Sequence, residues 1–396
     1  MTGIVAEGLR NSMDRASWIR DMFTEGARLK AEHGEENVSD LSLGNPILEP
    51  PEAVLEALRK LVNDPAPGSH RYIPNAGLPE VRQYIAESLE AGTSLPYTAE
   101  HIIVTCGAGG ALNVALKALL DPGDEVVTLC PYFVEYDFYA ANHGGKLIRA
   151  ETGDDFQIDL EALEAAITPR TRAVIVNSPN NPTGVIYPEE SLRAMGELLR
   201  AASGKHGRPI VLIADEPYRN LVFDGLTVPW IPPLYAHTLL VTSHSKDLGL
   251  AGERIGYLAV SPHLSEAALF CGAAVMANRI LGFVNAPALF QRLLPMVAGA
   301  SVDVRYYQNL RDRLLKPLRE MGYRVVTPQG AFYLFPKSPI PDDVAFVRAA
   351  QNERLLVVPG SGFGRPGHFR ISFSVTPEVV DRALPAFEKV FQQVGG

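Results

Sequence analysis

The 396-residue chain is 46% apolar and 20% charged, with a formal net charge of −9, a balance that supplies ample core and excludes a largely disordered chain. The acidic excess argues against general affinity for nucleic acid or anionic lipid, since both need a cationic surface. Three widely spaced cysteines, Cys106, Cys130 and Cys271, suggest neither a disulfide framework nor a metal site, and this length predicts two domains.

In chain order, Glu7, Arg10, Asp14, Arg15, Arg20 and Asp21 interrupt the N-terminal stretch that a secretion signal would need to keep apolar, and no run long enough to cross a membrane follows. A cytoplasmic protein is expected. A helical stretch leads to Leu41-Ser42-Leu43-Gly44-Asn45-Pro46. Beyond it, short β-branched runs alternate with longer helical patterns, the signature of parallel strands joined by right-handed crossover helices. The predicted strands are His101–Cys106, Glu125–Cys130, Lys146–Glu151, Ala173–Ser178, Ile210–Asp215, Leu239–Ser243 and Gly256–Val260. Leu160–Ile167 and Glu189–Ala202 carry apolar positions at helical spacing. A charged helix, Asp303–Met321, then precedes several short strands. The reading is an α/β fold: a large domain over 50–295, built on a mostly parallel seven-stranded sheet flanked by helices, and a smaller α+β domain assembled from 1–49 and 296–396.

Four strand ends carry candidate chemistry. Cys106-Gly107-Ala108-Gly109-Gly110-Ala111 opens a helix directly after a strand, where small residues let backbone N–H groups approach a phosphate. Leu112 stands where a dinucleotide fingerprint requires glycine. Asn177-Ser178-Pro179-Asn180-Asn181-Pro182-Thr183-Gly184 ends another strand with more polar turn chemistry than a connection needs, and the Asn181 amide can donate to a phenolate oxygen. Asp215 and Tyr218 close a third, placing a carboxylate where it can keep a pyridinium nitrogen protonated. Ser243-His244-Ser245-Lys246 closes the fourth, with Arg254 eight residues on. A lysine amine condenses with a carbonyl, while hydroxyls and a guanidinium hold a phosphate dianion. Pyridoxal phosphate carries both groups. His244 is expected to be a strand residue packed near the cofactor. Near the C-terminus, alternation in His368–Phe373 puts Phe369, Ile371 and Phe373 on one face and Arg370 on the other, and arginine in so apolar a strand calls for an anion.

This ordered set resembles the fold-type I, class I/II aminotransferases over nearly the whole chain. The resemblance implies that Lys246 is the Schiff-base lysine and proton shuttle, Asp215 the pyridine-nitrogen partner, and Asn181 with Tyr218 the partners of the ring oxygen. It implies that Ser243, Ser245 and Arg254 bind the phosphate together with Gly107, Ala108 and Gly109, although Gly109 lacks the hydroxyl that some members carry there. Phe133, after Cys130-Pro131-Tyr132, matches the ring that stacks on the cofactor. Arg370 matches the arginine that grips the substrate α-carboxylate, with Gly44, Asn45 and Asn181 as helpers. Tyr72 resembles the tyrosine that crosses a homodimer interface to the neighbouring cofactor phosphate. Arg279 lies one residue out of register with the second arginine of members that use acidic substrates.

The expected reaction is ping-pong transfer of an amino group between an α-amino acid and a 2-oxo acid. Because fold and cofactor do not dictate reaction type, two alternatives stand beside it: a C–S lyase performing β- or γ-elimination on the same fold, and a non-catalytic pyridoxal-binding regulator. No DNA-binding extension accompanies the regulatory reading.

Overall fold

The computed structural model describes residues 4–15 and 17–395. Its largest element is a seven-stranded sheet comprising β1 (Ile102–Thr105), β2 (Glu125–Cys130), β3 (Lys146–Glu151), β4 (Thr171–Asn177), β5 (Val211–Asp215), β6 (Thr238–Ser243) and β7 (Gly256–Val260). The spatial order is β1-β7-β6-β5-β4-β2-β3. Only β7 runs against its neighbours, pairing antiparallel with both β1 and β6. The sequence places all seven strands to within a few residues, because six of them are short apolar runs buried on both faces of a helix-covered sheet, whereas the edge strand β3 is largely exposed. β5, for example, is buried along its whole length.

Helices α1 (Gly107–Leu119), α2 (Glu135–Asn142) and α3 (Ala267–Ile280) are those that bear on the site. Leu112, Ala115, Leu116 and Leu119 of α1, with Tyr136 and Ala140 of α2 and Ala274 and Ala277 of α3, pack into one core with Ile175, Ile213 and Val241 of the sheet. The expected helix from Leu160 is present as Leu160–Ala166, and the Asp159 carboxylate caps it by accepting from the N–H groups of Glu161 and Ala162. The helix from Glu189 runs on to His206 and stops at Gly207, whose φ of 63° suits the left-handed terminal position.

The chain divides into two compact units. The larger is Asn45–Gln308 with Pro328–Ala331, and the smaller takes the residues up to Gly44, Asn309–Thr327 and those from Phe332 onward. These limits differ from the expected 50 and 295 because flanking segments are bonded to the larger unit. A Cβ on Gly249 would stand 2.9 Å from the Leu48 carbonyl oxygen, Val302 N–H donates to Asp247 O at 2.8 Å, and Phe223 N–H donates to Gln329 O at 2.9 Å. The smaller unit is α+β. Ser39–Asp40 pairs parallel with Leu355–Leu356, and Phe369–Ser372 lies between Val358–Pro359 and Tyr333–Leu334 in an antiparallel sheet. The rings of Phe346 and Phe369, 4.5 Å apart, pack with Tyr323 and Phe387. Among the described residues, no helix is long and apolar enough to cross a membrane.

Candidate active site

Three adjacent parallel strands end at one edge of the sheet. Asn177, at the end of β4, is the register partner of Asp215, at the end of β5, and Asp215 in turn pairs with Val241 two residues before the end of β6. That alignment brings together the motifs that the sequence scatters over some seventy residues.

Asp215 is 4% exposed. Its Oδ2 accepts from the Tyr136 hydroxyl at 2.5 Å, whereas its Oδ1 is buried with no hydrogen-bond partner. Burial lifts the carboxyl to about 7; the Tyr136 hydrogen bond opposes that rise and the neighbouring Glu216 charge adds to it. Burial above all, with the Asp215 charge, holds the Tyr136 phenol far above its ordinary value, so the hydroxyl stays a donor. A buried carboxylate oxygen without a partner is costly, and a protonated ring nitrogen would satisfy it.

The loop after β4 is fixed from below. Asn177 donates from Nδ2 to Asp215 O at 2.8 Å and accepts from Asn181 N–H at 2.7 Å. Asn180 Oδ1 accepts from the Thr183 hydroxyl at 2.8 Å. Asn181 and Tyr218 are both buried near this edge.

The phosphate side is equally compact. Ser243 Oγ donates to Ser245 Oγ at 3.1 Å, which leaves the Ser245 hydroxyl hydrogen for another acceptor. The Arg254 guanidinium donates to Ala251 O at 2.9 Å and lies against the first residue of α1, where a Cβ on Gly107 would come within 2.9 Å of Arg254 Nη2. Gly107 has a φ of +73°, and a Cβ on Gly256 would fall 2.4 Å from Thr242 O; both positions therefore exclude side chains. A helix N-terminus, a guanidinium and two serine hydroxyls converge, and this donor set fits a phosphate dianion. Half-buried Lys246 follows these serines, and Phe133 meets Tyr136 edge to face at 5.6 Å. Taken together, the orphaned Asp215 oxygen and the donor cradle fit pyridoxal phosphate.

His244 departs from expectation. It lies in the turn after β6, not in the strand, and its Nδ1 contacts Asp247 Oδ2 at 3.2 Å. There it lines a cavity of about 580 Å³ with Glu216, Arg219, Trp230 and Ser243. Tyr72 is 90% exposed, and Arg279 is exposed on α3. Asn45 is exposed at the start of the larger unit.

The smaller unit holds its own arginine pocket. Arg370 is buried, donates from Nη2 to Ser42 O at 2.8 Å, and stands 4.7 Å from the ring centres of both Tyr333 and Phe363. A Cβ on Gly44 would overlap the Tyr333 hydroxyl at 2.1 Å. An aromatic cage of this kind orients the guanidinium.

Sequence reasoning missed Tyr136, Tyr333 and Phe363, and gave Asn177 no role. A signal existed for Asn177, a polar residue ending a strand that is otherwise apolar. Tyr136 gave none, because a tyrosine on a short helix reads as ordinary core.

The model of the family described as Aminotransferase class I and II matches residues 36–387. The chain is 36% identical over 360 residues to the aspartate/prephenate aminotransferase of Thermus thermophilus, covering 88% of this chain and 90% of that protein. It is 32% identical over 370 residues to the aspartate aminotransferase of Geobacillus stearothermophilus, covering 90% and 92%. Among solved structures, an amino transferase from Eubacterium rectale superposes with a TM-score of 0.96 at 39% identity over all of both chains. The Thermus thermophilus aspartate aminotransferase with maleate gives 0.81 at 32% identity over 93% and 96%.

Proposed function

Since this chain belongs to the class I and II aminotransferases, and is a pyridoxal phosphate-dependent enzyme moving an amino group between an α-amino acid and a 2-oxo acid, we propose the residues and substrates through which it does so. Ser243, Ser245, Arg254 and the backbone at Gly107, Ala108 and Gly109 hold the phosphate, Asp215 the ring nitrogen, Asn181 and Tyr218 the ring oxygen, and Phe133 one ring face. The buried, partnerless Oδ1 of Asp215 carries this reading, because a carboxylate kept so dry needs a cationic or proton-bearing partner.

Pyridoxal phosphate supplies the aldehyde that takes up the amino group and the ring that draws electrons from the α-carbon. Asp215 Oδ1 keeps the ring nitrogen protonated, and Tyr136 holds that carboxylate in place from the other oxygen. Lys246 Nζ would remove the α-proton and return it to the cofactor's aldehyde carbon on the far side of the amino nitrogen, as a general base and then a general acid. The Arg370 fork takes the substrate α-carboxylate, with Gly44, Asn45 and Asn181 as helpers.

The substrates are dicarboxylic amino acids and 2-oxo acids, with aspartate as donor and 2-oxoglutarate as acceptor. The support is the naming of the relatives as aspartate aminotransferases and the maleate in one of them. The assembly is a cytoplasmic homodimer in which Tyr72 reaches the partner's cofactor. Exposed Leu269, Met276 and Ile280 on one face of α3, with Arg279 next to them, support this contact.

Borohydride reduction followed by peptide mass spectrometry should place the cofactor on Lys246, and Lys246→Ala should lose both the adduct and the cofactor's visible band. An adduct on another lysine overturns the assignment. A panel of amino donors and 2-oxo acids then tests the substrates: aspartate with 2-oxoglutarate should lead, and a clear preference for neutral donors would reject the dicarboxylate reading.

A further inference from the structure

Gly109 is the one position in the phosphate loop where the resemblance calls for a hydroxyl and the chain has none. The missing side chain leaves room for another residue. A Cβ built on Gly109 would lie 3.0 Å from the Tyr139 hydroxyl oxygen, so the phenol occupies the space into which a serine or threonine at 109 would extend. Tyr139 projects from α2, half-buried against the same core as Ala108 and Phe133. Its hydroxyl makes no hydrogen bond among the described residues, although phenols packed this deeply usually find a partner.

We propose, resting on the reading of this edge as the pyridoxal phosphate site, that Tyr139 is a cofactor-phosphate ligand whose phenol replaces the hydroxyl absent from Gly109. The pair is reciprocal: glycine at 109 admits the phenol, and the phenol supplies the donor that glycine lacks. Burial raises the Tyr139 phenol to about 12, the Glu135 and Asp215 charges push it the same way, and Arg254 opposes them. The hydroxyl therefore remains protonated across the working pH range, as a donor to a dianion must. The influence of Arg254 also places Tyr139 on the phosphate side. Three donors of different origin then surround the anion: the Arg254 guanidinium, the serine hydroxyls after β6, and a phenol from α2.

The test is cofactor affinity of the resolved enzyme, measured by fluorescence titration with pyridoxal phosphate and, separately, with pyridoxal, which lacks the phosphate. Tyr139→Phe keeps the packing and removes only the hydroxyl. It should weaken pyridoxal phosphate binding about tenfold or more, as loss of one hydrogen bond to a charged group does, and leave pyridoxal binding unchanged. Adding Gly109→Ser to that variant should recover part of the loss, because the smaller Phe side chain vacates the space. The bound-phosphate ³¹P resonance should shift in Tyr139→Phe. Unchanged affinity in Tyr139→Phe, or equal losses for both ligands, would overturn the proposal. Failure of the wild-type protein to bind pyridoxal phosphate would instead strike at the underlying site.

Discussion

Replacing Asp215 with asparagine should change how the cofactor-free protein's stability depends on pH, in a direction set by burial. The folded carboxyl lies near 7, against an ordinary 3.8. A carboxyl raised on folding binds its proton more tightly in the native state than in the unfolded chain. Its contribution is most favourable below about pH 4 and is lost as the pH climbs to about 7, beyond which the curve is level. Each pH unit well between the two values costs about 1.4 kcal/mol, so between about pH 5 and pH 7 the wild type forfeits roughly 2 kcal/mol through this group. Asparagine cannot ionise. It keeps an acceptor for the Tyr136 hydroxyl but buries an N–H where Oδ1 stood, a penalty of about 1–3 kcal/mol that does not vary with pH. The stability difference between the two proteins should therefore move by roughly 3 kcal/mol in favour of Asp215→Asn from pH 5 to pH 8. Urea denaturation of both cofactor-stripped proteins at several pH values measures it. Glu216, whose carboxyl burial also raises, is common to both and cancels to first order. Parallel stability curves would refute the account of Asp215 as a dry, unpartnered carboxylate.

Gly107→Ala should weaken cofactor binding without unfolding the protein. The left-handed φ of +73° and the 2.9 Å approach to Arg254 Nη2 cost about 1–2 kcal/mol and push the guanidinium off the phosphate; an unaltered cofactor dissociation constant would contradict the cradle. If Tyr72 acts across a homodimer interface, mixing inactive Lys246→Ala with impaired Tyr72→Ala subunits should regenerate activity, since one site of the mixed dimer is intact; no recovery on subunit exchange would place Tyr72 outside the neighbour's site. Arg279→Ala should lower kcat/KM for aspartate at least tenfold while sparing alanine, the expected loss for one carboxylate contact. Equal losses for both donors would remove Arg279 from substrate recognition.

The strands were legible because burial of a sheet on both faces imposes runs of Val, Ile, Leu and Ala that few other structures need. Ala173–Val176 and Val211–Ala214 are of this kind. Lys246, Asp215, Asn181 and Arg254 could be named as candidates because polar residues next to such runs stand out against them. The domain limits were less legible. Residues 45–49 and 296–308 belong with the larger unit through backbone contacts such as Val302 N–H to Asp247 O, and a main-chain hydrogen bond leaves no residue-type signature. His244 was misplaced by one residue into the strand, because a turn that begins immediately after Ser243 has no glycine or proline at its start. Tyr136 and Tyr139 stayed hidden since their partners, Asp215 and Gly109, are distant in sequence and lie on other elements. In each case what was lost was pairing across space rather than chemical type.

Asp215 and Glu216 pose a problem that the fold resolves asymmetrically. Successive residues at a strand end point to opposite faces, so burying both places two carboxylates in dry surroundings only one residue apart. On the far face Glu216 has an ionic partner within the chain, although its Oε1 is also left without one: the Arg219 guanidinium donates to its Oε2, stacks 3.6 Å from the Trp230 ring, and donates to Val228 O and Pro229 O at 2.9 and 2.8 Å. Asp215 has only a neutral phenol on one oxygen. Had both carboxylates received an arginine, Asp215 would be a settled ion pair with no free energy left for a ring nitrogen. Because Glu216 alone is compensated, its charge acts on Asp215 in damped form, and the carboxylate facing the cofactor keeps an unmet demand for a proton or a cation. Fixed internal compensation on one side of the strand is thus what leaves the other side poised for an external partner.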